Sequence, residues 1–187
     1  QVNSDLLRHS FLYMNKFFMV PIFRLGLGPV IGNPFTGYIM VLKTVGRKTG
    51  KIRYVPVNYA ILNGNVYCVA GWGRTAQWYR NLRAQPQVEL ILPGGPLTGV
   101  AEDVTDVVEF RRAVRQILKN GGFAGFFLGF NPFTVSDEVL LAKTKDLPLI
   151  RIRPVGAGNG PSDPGGWLWL LPFMLGAVWL IAGRRRH

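Results

Sequence analysis

Acidic side chains are nearly missing from the first half of this 187-residue chain. Residues 1–86 hold eleven Lys or Arg and a single acid, Asp5, whereas residues 87–163 hold eight basic and nine acidic residues. Arg184, Arg185 and Arg186 complete a formal net charge of +12. With one cysteine, Cys68, no intrachain disulfide can form. With only His9 and His187 beside it, a Cys/His zinc centre and a Ser-His-Asp triad both lack their parts, and no metal site is expected. No Asn-x-Ser/Thr acceptor occurs. The apolar stretch from Leu6 to Ile31 does not read as a signal peptide, because Arg8, His9, Lys16 and Arg24 interrupt it and no small-residue cleavage site closes it. A hydrophobic fraction of 48% and an aromatic fraction of 12% exclude a disordered polycation.

What is present falls into five blocks: 1–36, 37–155, 156–166, 167–183 and 184–187. In the first, Asn3, Ser4 and Asp5 are good caps, and Leu7, Phe11, Met14, Phe17 and Phe18 share one helical face. An amphipathic helix is expected over 3–32, ended near Pro21, that lies on the domain's own core or in a membrane interface. Residues 37–155 carry six strand patterns: 38–45, 53–62, 65–71, 87–92, 97–104 and 147–155. Asn63-Gly64 signals a hairpin. Helices are expected at 75–85 with Thr75 as cap, from Thr105-Asp106 to Asn120, and more weakly at 136–145. Cys68, in the alternating run VYCVA, reads as a buried core thiol. Strands with short turns and late helices imply an α+β domain with a small antiparallel barrel.

Residues 156–166 read as a Gly/Pro-rich linker with a root-mean-square span of roughly 17–20 Å. Residues 167–182 carry no charge, and the uncharged run through Gly183 is about 28 Å long as a helix, close to the roughly 30 Å hydrocarbon core. Trp167, Trp169 and Trp179 flank it as interfacial anchors do, and Arg184–Arg186 stop it. A single membrane-spanning helix over 167–183 is expected, placing the chain at the cell membrane. The three arginines favour a cytoplasmic C-terminus, Arg151 and Arg153 pull the other way, and a four-residue tail can be translocated. The globular domain is expected on the cytoplasmic side.

Two segments carry chemistry. GRKTGK (46–51) is a turn between strands bearing Arg47, Lys48, Thr49 and Lys51, with Arg53 just beyond. Its glycines let backbone N–H groups approach a ligand, a combination suited to a phosphate or several carboxylates, and equally to a solvated basic hairpin. The Gly-x4-Gly-Lys spacing of a P-loop is absent, and Gly26-x-Gly28 before Pro29 is no dinucleotide fingerprint. The second segment, AGWGRTAQWYRNLRAQP (70–86), ends a strand in glycines and opens a helix beside Arg74, a further anion-friendly arrangement. Nucleic acid is not expected as a partner, since no recognised module accompanies the basic residues.

Together the runs TVGRKTGKIRYVPVNYA and VYCVAGWGRTAQWYRNLRAQPQVEL resemble the deazaflavin-dependent nitroreductase family, also called the nitroreductase/quinone reductase family. Its members share a T-x-GR-[KR]-[ST]-G turn, a P-[LV]-x-[YF] strand and a WY-x-NL-x-A-x-P helix, all found here in order. The resemblance implies a split β-barrel holding the deazaflavin coenzyme F-420, with flavin mononucleotide or haem as the alternative. It implies a phosphate and acidic-tail grip by Arg47, Lys48, Thr49 and Arg53. It implies ring contacts from Tyr54, Val55, Pro56, Ala70, Gly71, Trp72 and Gly73, and from Trp78 and Tyr79 on the helix, with Arg74 as a further cofactor-binding residue. Hydride transfer needs no acid–base pair, and Tyr54 and Tyr79 are the candidates for a hydroxyl facing the acceptor. The Phe-rich stretch 121–133, without tyrosine, implies an apolar acceptor such as a quinone. The alternative is a non-catalytic barrel subunit docked on a larger membrane complex.

Overall fold

The computed structural model describes residues 13–24, 37–122, 129–159, 174–176 and 179. Six antiparallel strands close a barrel: β1 (Ile39–Val45), β2 (Ile52–Leu62), β3 (Asn65–Val69), β4 (Gln87–Leu92), β5 (Gly95–Asp103) and β6 (Leu149–Ala157), in the order β1-β2-β3-β6-β5-β4. Among the described residues the barrel is accompanied by α1 (Val20–Arg24), α2 (Gln77–Ala84), α3 (Val107–Asn120) and α4 (Asp137–Thr144).

Period-2 alternation sorts the strand residues between two faces. Met40, Leu42, Val66, Cys68, Leu90, Ile150 and Ile152 fill the barrel, and Trp78 and Leu82 of α2 plug it. Fully burying each such aliphatic side chain contributes roughly 1.5–3 kcal/mol. Outside, Ala113, Val114 and Ile117 of α3 pack with Ala60, Tyr67, Leu140 and Leu149. Asp106 caps α3, its carboxylate accepting from the Glu109 N–H at 2.7 Å, and Ser136 caps α4. The β2–β3 hairpin turns on Asn63 and Gly64, both at positive φ, the geometry that the Asn-Gly pair announces. At the β5 bulge, a Cβ on Gly99 would lie 2.6 Å from Ile152, so only glycine lets β5 and β6 approach there.

Several expectations are corrected in detail. Pro21 does not end the first helix: residues 13–24 are helical without a break, and Pro21 follows a π-turn over Asn15–Met19, the local widening that accommodates a missing N–H inside a helix. Thr75 is not the cap of α2. Residues Gly73–Thr75 form a 3₁₀ turn, the Thr75 hydroxyl donates to the Trp72 carbonyl at 2.8 Å, and Ala76 occupies the cap position. β6 runs on to Ala157, past the expected start of the linker, because Gly156 and Ala157 still pair with Thr98 and Leu97. The expected membrane helix over 167–183 lies outside the described residues except for 174–176 and 179, which are helical and exposed. Among the described residues, no helix is long and apolar enough to cross a membrane.

Candidate functional site

β2 is longer than its neighbours. Residues 52–58 pair with β1 and residues 59–62 pair with β3, so among the described residues the stretch Ile52–Asn58 has a strand partner on one side only. Beside that open edge, the chain leaves β3 through Ala70, Gly71, Trp72 and Gly73 and enters α2. The mouth of the barrel is therefore bounded by the 46–51 turn, the open half of β2 and the lead-in to α2.

The turn is built by its own backbone. The Thr49 and Gly50 N–H groups donate to the Gly46 carbonyl at 3.1 and 2.7 Å, and the Gly46 N–H donates to Lys51 O at 2.8 Å. Gly50 sits at φ +65°, a region open to glycine at no steric cost. Helix α2 then fixes the turn in space. Arg47 donates from its backbone N–H and from Nη1 to Asn81 Oδ1, at 3.3 and 3.0 Å, and from Nη2 to Gln77 Oε1 at 3.0 Å. These contacts bring the two segments singled out in the sequence into one place. Lys48, Thr49, Lys51 and Arg53 are exposed around the turn. Among the described residues none of the three cations has an acidic partner.

Cross-strand partners share a face, so the register divides the candidates of β2. Arg53 opposes Thr44 and Val55 opposes Leu42, which places both toward the barrel interior. Tyr54 opposes Lys43 and Pro56 opposes Val41, on the outer face, where Tyr54 packs in the cluster of Met19, Phe23, Val41 and Ile91. One planar ligand cannot touch all four. Tyr54 and Tyr79 do not meet either: Tyr79 is in the interior cluster. Its hydroxyl donates to Asp103 at 3.0 Å, and Arg83 pairs with the same carboxylate. Burial, and then this hydrogen bond, push the Tyr79 phenol pKa up. Trp78 is 9% exposed and belongs to the core, whereas Trp72 is 47% exposed at the mouth. Ala70 is fully buried and Gly71 exposed.

Arg74 lies elsewhere. Together with Tyr79, Asp103, Phe110, Leu141 and Lys145 it lines a cleft of about 620 Å³ on the Tyr79 flank of α2. Residues 77 and 81 project from the opposite flank, toward the turn, because four residues are little more than one helical turn. Cys68 is fully buried in the core and its thiol pKa is pushed up to about 12 by burial, so it is inert.

Two residues of the mouth escaped the sequence reading. Asn81 was visible only as a letter of the WY-x-NL pattern, and its partner lies 34 positions away. Thr44 is 1% exposed, and its hydroxyl has no hydrogen-bond partner among the described residues. The donor set suits an acidic, ring-bearing coenzyme: three cations without acid partners, a half-buried apolar strand beside them and one orphaned hydroxyl beneath.

A six-stranded antiparallel barrel with a cationic mouth suits an anionic coenzyme that reacts while the protein orients it. A model of the family described as F420H(2)-dependent quinone reductase matches residues 20–121, more than half of the chain, and the chain belongs to that family. It is thus a deazaflavin-dependent oxidoreductase, and its cofactor is the deazaflavin coenzyme F-420. Similar solved structures include an F420-H2 dependent reductase (22% identity, 62% of this chain and 93% of that one, TM-score 0.43). Others are an F420 reductase (18% identity, 70% and 94%, TM-score 0.45) and a conserved hypothetical protein from Mycobacterium tuberculosis (18% identity, 65% and 78%, TM-score 0.47).

Proposed function

We propose that this chain binds its deazaflavin at the barrel mouth and reduces an apolar acceptor, a quinone, at a membrane surface. The observation that carries the reading is the cationic turn: Lys48, Lys51 and Arg53 stand around one docked loop with no carboxylate partner among the described residues. A phosphate or carboxylate tail gathers such cations through charge-assisted hydrogen bonds.

When bound, the reduced deazaflavin supplies the hydride. The chain's own residues do the rest. Lys48, Lys51 and Arg53 hold the anionic part. Val55 on the inner side of the open β2 edge, together with Ala70 and Trp72, forms the apolar wall that keeps water from the ring. The orphaned Thr44 hydroxyl offers a buried polar contact. Tyr79, committed to Asp103, braces α2 and is not assigned a proton-transfer role. Tyr54, packed with Met19 and Phe23, is not assigned one either.

Membrane tethering is supported by exposed apolar side chains at both ends. Tyr13, Met14, Phe17 and Phe18 face outward from the first helical segment, whose Met19 and Phe23 clamp it to the barrel. Met174, Leu175 and Trp179 are exposed in the segment read as a membrane-spanning anchor. The residues 123–128 of the Phe-rich stretch, read as the acceptor's entry, lie outside the described residues.

Detergent-extracted protein titrated with the oxidised coenzyme should quench its fluorescence saturably. With the reduced coenzyme it should turn over a quinone faster than a nitroimidazole. Saturable binding without turnover of any quinone would instead favour the non-catalytic subunit.

A further inference from the structure

Arg47 heads the sequence's choice of coenzyme ligands, yet its backbone N–H and two of its five guanidinium N–H groups are already engaged. Its backbone N–H and its Nη1 converge on one oxygen, Asn81 Oδ1, and its Nη2 reaches Gln77 Oε1. An acceptor that takes a backbone and a side-chain donor from the same residue fixes both where the turn sits and how it is rotated. Asn81 is itself 6% exposed, on a helix whose Trp78 and Leu82 are anchored in the barrel. The turn thus inherits the rigidity of the core. Both partners of Arg47 are neutral amides. A carboxylate at position 81 would hold the same two donors, but would place a negative charge beside the cations meant for an anion.

We propose that Asn81 is a positioning residue for coenzyme binding. Through Arg47 it registers the basic turn on α2 so that Lys48, Lys51 and Arg53 converge on the anionic part of the coenzyme, and Arg47 serves as the strut, not as a ligand. The inference rests on the reading that this turn holds the coenzyme.

A double-mutant cycle tests it, with coenzyme fluorescence quenching for affinity and thermal unfolding as the control for folding. Arg47→Gln and Asn81→Leu should each raise the dissociation constant about tenfold, the scale of one or two lost hydrogen bonds, and the double variant should be no worse than either single. Additive losses would make Arg47 an independent ligand and overturn the strut. Asn81→Asp should keep the parental melting temperature while still binding the coenzyme more weakly, with KM for the coenzyme raised and kcat retained. Parental affinity in that variant would overturn the argument for a neutral amide. Arg47 is exposed, so the Arg47→Gln arm remains readable if Asn81→Leu fails to fold. Lys48→Ala with Arg53→Ala separates the two ideas. If that pair leaves affinity unchanged, the turn is not the coenzyme grip. If it weakens binding while the cycle is additive, the grip stands and the strut falls.

Discussion

The cations of the barrel mouth differ from one set of cations on the strand and helix faces outside it. Away from the mouth, Arg151 bridges Glu102 and Glu109, Arg153 shares Glu102, and Arg111 and Arg115 both hold Asp137. Lys43 is matched with Glu89 across β1 and β4. At the mouth, Arg47 leans on amides, and Lys48, Lys51 and Arg53 form no ion pair among the described residues. Paired charges tie elements together. Unpaired charges at a built loop cost self-repulsion and are retained where a ligand supplies the missing sign.

The largest effect tests the unpaired side. Replacing Lys48, Lys51 and Arg53 together with alanine should weaken coenzyme binding about 100-fold or more in a fluorescence titration, with little change in melting temperature. A parental dissociation constant in this variant would erase the contrast. On the paired side, Arg151→Ala leaves Glu102 and Glu109 without their shared cation. It should lower stability by about 1–3 kcal/mol in denaturant unfolding while coenzyme affinity stays put.

Tyr79→Phe removes the hydrogen bond to Asp103 and should cost about 1 kcal/mol. Its pH dependence sharpens the point. Burial, then the hydrogen bonds to Glu109 and Asp103, raise the phenols of Tyr67 and Tyr79 above their ordinary value of 10.0. The folded state then holds these protons more tightly than the unfolded chain. Their contribution is fully present below pH 10.0 and is lost as pH rises through the raised values. The Tyr67→Phe, Tyr79→Phe double variant should show a flatter alkaline limb in pH-dependent unfolding.

The smallest effect belongs to Asp137→Asn. The Arg115 hydrogen bond, with Arg111 adding its charge, holds this exposed carboxyl below the usual range. Its contribution is present above the unfolded value and is lost as pH falls through the lowered one. Parent and variant should therefore differ slightly at neutral pH, converge in acid and bind the coenzyme equally.

The strand runs, the Asn63-Gly64 hairpin and the order of turn and helix were legible because period-2 alternation and turn chemistry are local signals. The pairing of Arg47 with Asn81 was not, since no spacing rule connects positions 34 apart in sequence. The division of residues 53–56 between two faces was half legible: alternation predicts it, but a list of ring contacts ignored it. Pro21 does not stop the helix as its rule implies, because the π-turn just before it accommodates the missing N–H, and no residue pattern announces a π-turn. Thr75 was misplaced as a cap because a 3₁₀ turn intervenes before α2 opens.

The half-unpaired β2 has a consequence for solubility. A bare strand edge is a template on which another chain can add itself. Here Pro56, in mid-edge, offers no N–H to an intruder, and Lys51 and Arg53 at its start confront a second copy with charge of its own sign. On the proposed placement of the coenzyme, the opening that receives it is also guarded against the protein's own kind, by charge when empty and by the bound coenzyme when filled.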